Sequence, residues 1–316
     1  MPAILKNQVK ADAFHLDANE SAFFKRELEY IKARTYDTKY KQLKAFGLIP
    51  ISSEANNGAT EITWRQYSMV GFAKIIADYA TDFPRVDVYG TENTVKVKDI
   101  GDSYGYSIQE IRRSQMSGKR LDQRRSDTAR RAIEEKINQI ALLGDSLSQL
   151  QGLINYTGIT AYTVPADGTG SSKLWANKTV DQVVRDIAGV VSAIFNTTNG
   201  REAPDTLLLP ISKYMYLATT RMGSVNDTTL LEYILKTNPF LKKIDWLVEL
   251  SGAGAGGTDR MLCYCNDDQH LTLEIPQPFE AFDPVQTGME FEIPCHAMTA
   301  GAIVYYPLSV AYGDGI

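Results

Sequence analysis

The sequence predicts an α+β protein in which strands from the two ends of the chain pack around a long helix. Three observations support this: an amphipathic helix over residues 122–144, a block of helices and short strands over 179–250, and a run of strands from about residue 260 to the end. The 316 residues are enough for one large core or two moderate ones.

The composition excludes several protein classes. With 33 Lys and Arg against 38 Asp and Glu, the net charge is -5, whereas a dedicated nucleic-acid-binding protein normally has a basic excess. No apolar run approaches the roughly 18 residues of a membrane span, and residues 1–20 lack the apolar stretch of a signal peptide. Three cysteines are too few for a disulfide scaffold and fit a reducing compartment.

Residues 1–52 are predicted to form an N-terminal arm. They are polar and helix-prone, and residues 22–45 carry a partial apolar stripe at helical spacing: Phe24, Leu28, Ile31 and Tyr36. Pro50 disfavours a helix in the residue before it. We expect this arm to pack on another surface.

Residues 53–106 are predicted to contain two strands that bracket a long loop. Alternating residues predict strands over 60–67 and 94–106, and about 25 residues of irregular sequence separate them. A connection that long inside a compact domain is usually functional.

Residues 107–155 contain the strongest helix pattern, over 122–144. Asp122 suits the N-cap and Gly144 the C-terminal end. The apolar face consists of Ala129, Ala132, Ile133, Ile137, Ile140 and Ala141. The helix leads into Gly152-Leu153-Ile154-Asn155.

Residues 156–260 are predicted to alternate between helix and strand. A loop over 156–178 precedes a helix capped by Thr179, and a buried strand over 206–209 ends at Pro210. Short helices over 212–220 and 227–236 and a strand over 245–250 follow. The glycine-rich residues 251–259 are predicted to be a flexible connector.

Residues 261–316 are predicted to be strands. Segments 261–265 and 270–275 are separated by a turn of hairpin length. Further strands are predicted over 289–293, 300–306 and 309–312.

The motifs that could carry chemistry are incomplete. No lysine follows the glycines at 252–257, as a phosphate-binding loop requires. The candidate zinc ligands are Cys263, Cys265, His270, Cys295 and His296. Their spacing is not that of a zinc knuckle and favours buried free cysteines. There is no Gly-x-Ser-x-Gly nucleophile motif, and His15 has no companion motif. We therefore assign no catalytic, cofactor-binding or metal-binding residue and no cofactor, and expect no enzyme activity.

The densest positive cluster has two interpretations. It consists of Arg112, Arg113, Lys119, Arg120, Arg124, Arg125, Arg130 and Arg131. It could face nucleic acid. A solvated helix face with ion pairs between subunits is favoured, and the Glu134–Glu135 pair is likewise expected to be solvated.

The order of these elements resembles the major capsid proteins of tailed bacteriophages, which share the HK97 fold. The strand–loop–strand of 60–106 is similar to that family's extended loop. The helix over 122–144 is similar to its long spine helix, and it is likewise followed by a Gly-Leu-Ile-Asn step at residues 152–155. Residues 179–196 and 203–210 resemble its axial domain. Residues 275–276 and 300–307 resemble the strands that return to its peripheral domain.

The resemblance implies an HK97-like division of the chain: an arm (1–52), an extended loop with flanking strands (53–106), a peripheral domain with the spine helix (107–155), an axial domain (156–260) and returning strands (261–316). It implies a virion capsid subunit, made in the cytoplasm of a bacterial host. Pentamers and hexamers of this subunit would form an icosahedral shell around double-stranded DNA, which it would contact weakly.

The resemblance also implies partners and alternatives. Portal, separate scaffolding and decoration proteins are candidate partners, and because the extended loop is reached by about residue 60 we expect no fused scaffold region. Lys74 lies where some members crosslink, but neither its asparagine partner nor a catalytic acid is identifiable. An encapsulin-like nanocompartment shell protein and a soluble α+β enzyme are the alternatives.

Overall fold

The computed structural model describes residues 40–75, 85–117, 124–223 and 228–316. Residues 43–316 form one compact unit. Apart from residues 40–52, the predicted arm lies outside the described residues, as does most of its predicted helix over 22–45.

The described secondary structure is mixed α+β, as predicted. The helices are α1 (Ala45–Leu48), α2 (Ile108–Ser117), α3 (Arg124–Leu143), α4 (Val180–Thr198), α5 (Ile211–Thr219) and α6 (Leu230–Thr237). The first strands are β1 (Ile51–Ser52), β2 (Glu61–Val70), β3 (Asp87–Lys96), β4 (Lys98–Ser107), β5 (Gly144–Asp145), β6 (Leu150–Gln151), β7 (Thr160–Thr163), β8 (Thr206–Leu209) and β9 (Lys243–Trp246). The remaining strands are β10 (Arg260–Tyr264), β11 (Leu271–Glu274), β12 (Gln277–Ala281), β13 (Val285–Thr287), β14 (Glu290–Thr299), β15 (Gly301–Val304) and β16 (Val310–Asp314).

A five-stranded sheet has the order β7-β16-β10-β8-β9, with β7 parallel to β16 and β8 parallel to β9. Its central strands are buried on both faces. Leu207 and Leu209 of β8 pack into the cluster around α4, whereas Leu208 packs into the cluster around α3. A run of apolar residues is the pattern expected of a strand covered on both sides.

The α3 helix is held at its C-terminus by the segment that follows it. The carbonyl oxygens of Ala141 and Leu142 accept hydrogen bonds from the amides of Leu153 and Ile154 at 2.9 and 3.0 Å, and Asn155 Nδ2 donates to the Leu143 carbonyl at 2.8 Å. These carbonyls have no partner within the helix. The Gly-Leu-Ile-Asn motif therefore caps the long helix.

Two glycines are required at this cap. Gly144 has a φ of +76°, as predicted for the residue that ends the helix. At Gly152 a Cβ atom would lie 2.3 Å from the Gly144 nitrogen and 2.4 Å from the Leu142 oxygen. Only glycine fits such a close approach of two backbone segments.

The prediction for the α3 helix was correct in its face and wrong in one detail. Ile133, Ile137, Ile140 and Ala141 are buried, but Ala132 is exposed. Asp122, the predicted N-cap, lies outside the described residues. Thr179 was predicted correctly: it forms a capping box with Gln182 at the start of α4.

Several predicted strands differ from the structure. The irregular stretch predicted between residues 68 and 92 was wrong at both ends, because β2 continues to Val70 and β3 begins at Asp87. The single strand predicted over 94–106 is two strands that meet at the buried Val97. The strand predicted over 245–250 is β9 followed by the 3-10 turn Val248–Leu250.

The hairpin predicted between 261–265 and 270–275 was also wrong. The β10 strand pairs with β8 and β16, whereas β11 pairs with β1 and β15 in a three-stranded sheet. The turn between them therefore joins two different sheets. The sequence prediction also missed α2, β12 and β13, and β7 within the predicted loop over 156–178.

Candidate assembly surface

The β2–β3 hairpin is attached to the body of the protein at its base. Its strands pair from Glu61↔Lys96 to Val70↔Asp87. The ring of Trp64 packs edge-on against Tyr305 with centroids 5.4 Å apart, and Ile62 packs on the cluster that contains Met298 and Ile303. These contacts hold the hairpin on residues 298–305.

Beyond this base the hairpin exposes apolar side chains on both of its faces. Met69 and Val88, which face each other across the strands, are 80% and 56% exposed, and Phe72 is 74% exposed. The exposed large apolar residues of this tip are Tyr67, Met69, Val70, Phe72, Ile75, Val86, Val88 and Tyr89. We call these residues the hairpin tip. A contiguous apolar surface of this kind marks an interaction site.

A smaller apolar surface lies on the sheet formed by β12, β14, β13 and β4. Phe282, Val285 and Met289 are exposed at one end of this sheet. A third lies at a cleft between α4 and the end of α6, lined among others by Phe195, Ile234 and Phe240.

Two arginines of the basic cluster form ion pairs with carboxylates of the same subunit. Arg125 forms an ion pair with Glu110 at 2.9 Å and lies over the ring of Tyr106, and Arg130 pairs with Glu134 at 2.8 Å. The hydrogen bond from Arg125 lowers the pKa of Glu110. Lys119 and Arg120 lie outside the described residues. These ion pairs favour the solvated-face interpretation over a nucleic-acid site.

The residues considered for zinc are not brought together as one group. Cys263 is buried against α4, and Cys295 belongs to the cluster around α3. His296 Nε2 lies 3.1 Å from Asp99 Oδ1. Burial raises the pKa of each of the three thiols, which are all free cysteines. Only Cys265 and His270 lie close together.

Glu202 joins Cys265 and His270 as a third neighbour, and no sequence motif indicated it. His270 Nε2 lies 2.6 Å from Glu202 Oε2. The two residues are 68 positions apart, and Glu202 belongs to no motif. Only the folding of the chain reveals that they meet.

The glycine-rich connector is a turn held by carboxylates. The Gly252 amide donates to Asp259 Oδ1 at 3.1 Å, and the Ala255 amide donates to Asp314 Oδ2 at 3.2 Å. Asp314 is in turn held by Arg260 at 2.6 Å. Because protein carboxylates already accept from these two amides, the loop does not have the arrangement of a phosphate-binding loop.

Three further residues considered from the sequence are Lys74, Glu135 and His15. Lys74 is exposed beside the hairpin tip. Glu135 is exposed, and His15 lies outside the described residues. Among the helices in the described part of the chain, none has both the length and the apolar character of a membrane span.

Solved structures that are similar to this chain include phage and GTA capsids and a virus-like particle. The capsid of Myoviridae phage XM1 matches with a TM-score of 0.76 and 18% identity, covering 92% of this chain and 98% of that one. The capsid of a native GTA particle matches with a TM-score of 0.64 and 9% identity, covering 95% and 99%. A virus-like particle from Pyrococcus furiosus matches with a TM-score of 0.54 and 12% identity, covering 85% and 91%. The fold is that of an HK97-like shell protein.

The sequence itself identifies the family. The model of the major capsid protein family matches residues 71–316, so the chain belongs to that family. No curated protein gives a significant match. The chain is a capsid shell subunit with a structural role, and the encapsulin-like alternative is not favoured.

Proposed function

We propose that this subunit assembles into pentamers and hexamers that close into an icosahedral shell around double-stranded DNA. The observation that carries this proposal is the hairpin tip, which presents apolar side chains on both faces to solvent in the single chain. Burying a Val, Phe or Met side chain contributes about 1.5–3 kcal/mol. Several such side chains covered by a neighbour would stabilise a shell contact.

The same proposal divides the chain as the resemblance implies, into an arm (1–52), an extended hairpin (53–106), a peripheral domain (107–155), an axial domain (156–260) and returning strands (261–316). In this division the five-stranded sheet draws strands from the last two segments, because β10 and β16 lie between β7 and β8. A sheet shared in this way would couple the axial domain to the end of the chain.

Contact with packaged DNA is proposed to be weak and non-specific. The net charge is -5, and Arg125 and Arg130 already have carboxylate partners in the same subunit. Arginines neutralised in this way release fewer counterions from DNA. We propose the virion as the location, synthesis in the host cytoplasm, no catalytic activity, and portal, scaffolding and decoration proteins as partners.

Assembly is tested directly on the purified chain, alone and with co-expressed phage partners. Negative-stain microscopy and analytical ultracentrifugation are expected to show capsomers and closed particles. Monomers or dimers under all of these conditions would contradict the proposal. Particles made during infection are expected to contain nuclease-protected double-stranded DNA, and particles that instead enclose a cargo enzyme would contradict the DNA assignment.

A further inference from the structure

Three side chains with metal-binding atoms meet where the chain passes from the five-stranded sheet to the three-stranded sheet. Cys265 directly follows β10 of the five-stranded sheet, and His270 directly precedes β11 of the three-stranded sheet. Glu202 lies in the loop between α4 and β8. One ligand atom from each of these residues lies within 4.8 Å of the other two.

This cluster is largely shielded from water. Cys265 is 5% exposed, and the side chains of His270 and Glu202 are 16% and 30% exposed. The Cys265 thiol donates to the Ala203 carbonyl at 3.2 Å, which keeps it beside Glu202. The loop between α4 and β8 is held by the backbone amide of Asn266, which donates to Asp205 Oδ1 at 2.9 Å. These contacts hold the three groups close together.

We propose that Glu202, Cys265 and His270 bind a divalent transition-metal ion of the zinc class, with water as a fourth ligand. Thiolate, imidazole and carboxylate are the donors that zinc takes in proteins. When the metal–sulfur bond forms, the thiol gives up its hydrogen bond to the Ala203 carbonyl and releases its proton to solvent. The thiolate and the carboxylate then balance the charge of the ion. In the absence of a cation, burial first and the charge of Glu202 next raise the pKa of Cys265 to about 12.

The second ring nitrogen of His270 is buried near a carboxylate but makes no hydrogen bond to it. Histidines that bind a metal through one nitrogen almost always donate the other N–H to a carboxylate, a carbonyl or water. His270 Nε2 faces Glu202, and Nδ1 lies 3.6 Å from Asp267 Oδ2. The Nδ1 atom is buried and has no hydrogen-bond partner. A small rotation of Asp267 would satisfy it and orient the ring toward the metal.

The site would tie the α4–β8 loop to the turn that joins the two sheets. A metal ion that binds the folded chain and not the unfolded chain stabilises the folded chain by mass action. Zinc is therefore expected to raise the melting temperature of the subunit, and a chelator to reverse the rise.

The test uses cobalt(II) as a spectroscopic substitute for zinc on the metal-free full chain. The wild type is expected to bind one cobalt per subunit, with the near-ultraviolet charge-transfer absorption of a thiolate ligand, and zinc is expected to displace it. Cys265→Ser is expected to lose that absorption and the zinc-dependent rise in melting temperature. Asp267→Asn is expected to weaken binding about 10- to 100-fold.

Cys295→Ser and His296→Gln are the matched controls, because they change the same residue types outside the cluster and are expected to retain both responses. Circular dichroism checks that each variant is folded. If Cys265→Ser is not folded, cobalt binding by Asp267→Asn and His270→Gln decides whether the site exists. The site is overturned if the wild type shows no thiolate absorption, or if the folded cluster variants bind cobalt as the wild type does. The Glu202–His270 contact would then be an ordinary ion pair.

Discussion

Lys178 is a fully buried lysine whose charge is compensated by several neighbours. Its Nζ lies 2.6 Å from Asp186 Oδ2, 3.1 Å from Asp167 Oδ1 and 2.8 Å from the carbonyl of Pro165. Trp175 Nε1 also donates to Asp186 at 3.2 Å. Burial raises the pKa of Asp186, and the Lys178 and Trp175 contacts oppose that rise. This network fixes the chain before α4.

Lys178→Met is expected to destabilise the protein because it leaves Asp186 buried without its counter-charge. Removing one partner of a buried ion pair costs about 3–5 kcal/mol. Urea unfolding of the purified subunit measures this loss. Lys173→Met is the control, since Lys173 is exposed and the same change there is expected to cost less than about 0.5 kcal/mol. Equal effects at the two lysines would contradict this account.

At the scale of elements, α3 connects most of the core. It contacts β4, β14, β15 and the short helix α1. Ile133 and Ile137 are 1% and 3% exposed, and the Ala45 amide donates to the buried Asn138 side chain at 2.9 Å. The α3 helix therefore connects β4 and the short helix α1 to the C-terminal strands β14 and β15.

Ile133→Asp, or equally Ile137→Asp, is expected to destabilise the fold by several kcal/mol, because it places a carboxylate in the apolar core. Ala132→Asp makes the same type of change one residue away on the exposed face and is expected to have a much smaller effect. Thermal unfolding measures both. An unchanged melting temperature for the core variants would mean that the buried face of α3 is wrongly assigned.

The hairpin shows why the sequence pattern failed at its tip. From Glu61 to Gln66, exposed residues alternate with partly buried ones, because one face packs on the body. From Tyr67 onward both faces are exposed, so alternation no longer distinguishes them. A period of two is visible only where one face is covered. The pairing of Met69 with Val88 therefore could not be predicted from the sequence pattern.

At the scale of the whole molecule, the hairpin tip is expected to act in assembly and not in folding. Replacing residues 69–89 by Asn-Gly removes most of the exposed apolar tip and retains the packed base around Trp64. The variant is expected to remain soluble and to unfold like the wild type, but to form no stable shells. Negative-stain microscopy and thermal unfolding make the comparison.

A gentler variant places Met69→Lys and Val88→Glu in the intact hairpin, which introduces charges on the tip. Its control is Thr63→Lys with Thr94→Glu, an exposed cross-strand pair at the base whose hydroxyls lie 2.9 Å apart. If the tip variant forms no shells and the base variant does, the contact between subunits lies at the hairpin tip. Normal particles from both the deletion and the tip variant would show that the tip has no role in assembly.

The sequence by itself determined the α+β class, the face and C-terminal end of α3, the Thr179 cap and the buried strand β8. These follow from local chemistry: helical spacing, a capping side chain, a left-handed glycine and an unbroken apolar run. It did not determine that β10 and β11 separate into two sheets, or that Glu202 meets His270. Those contacts join residues far apart in the chain, so only the tertiary structure decides them.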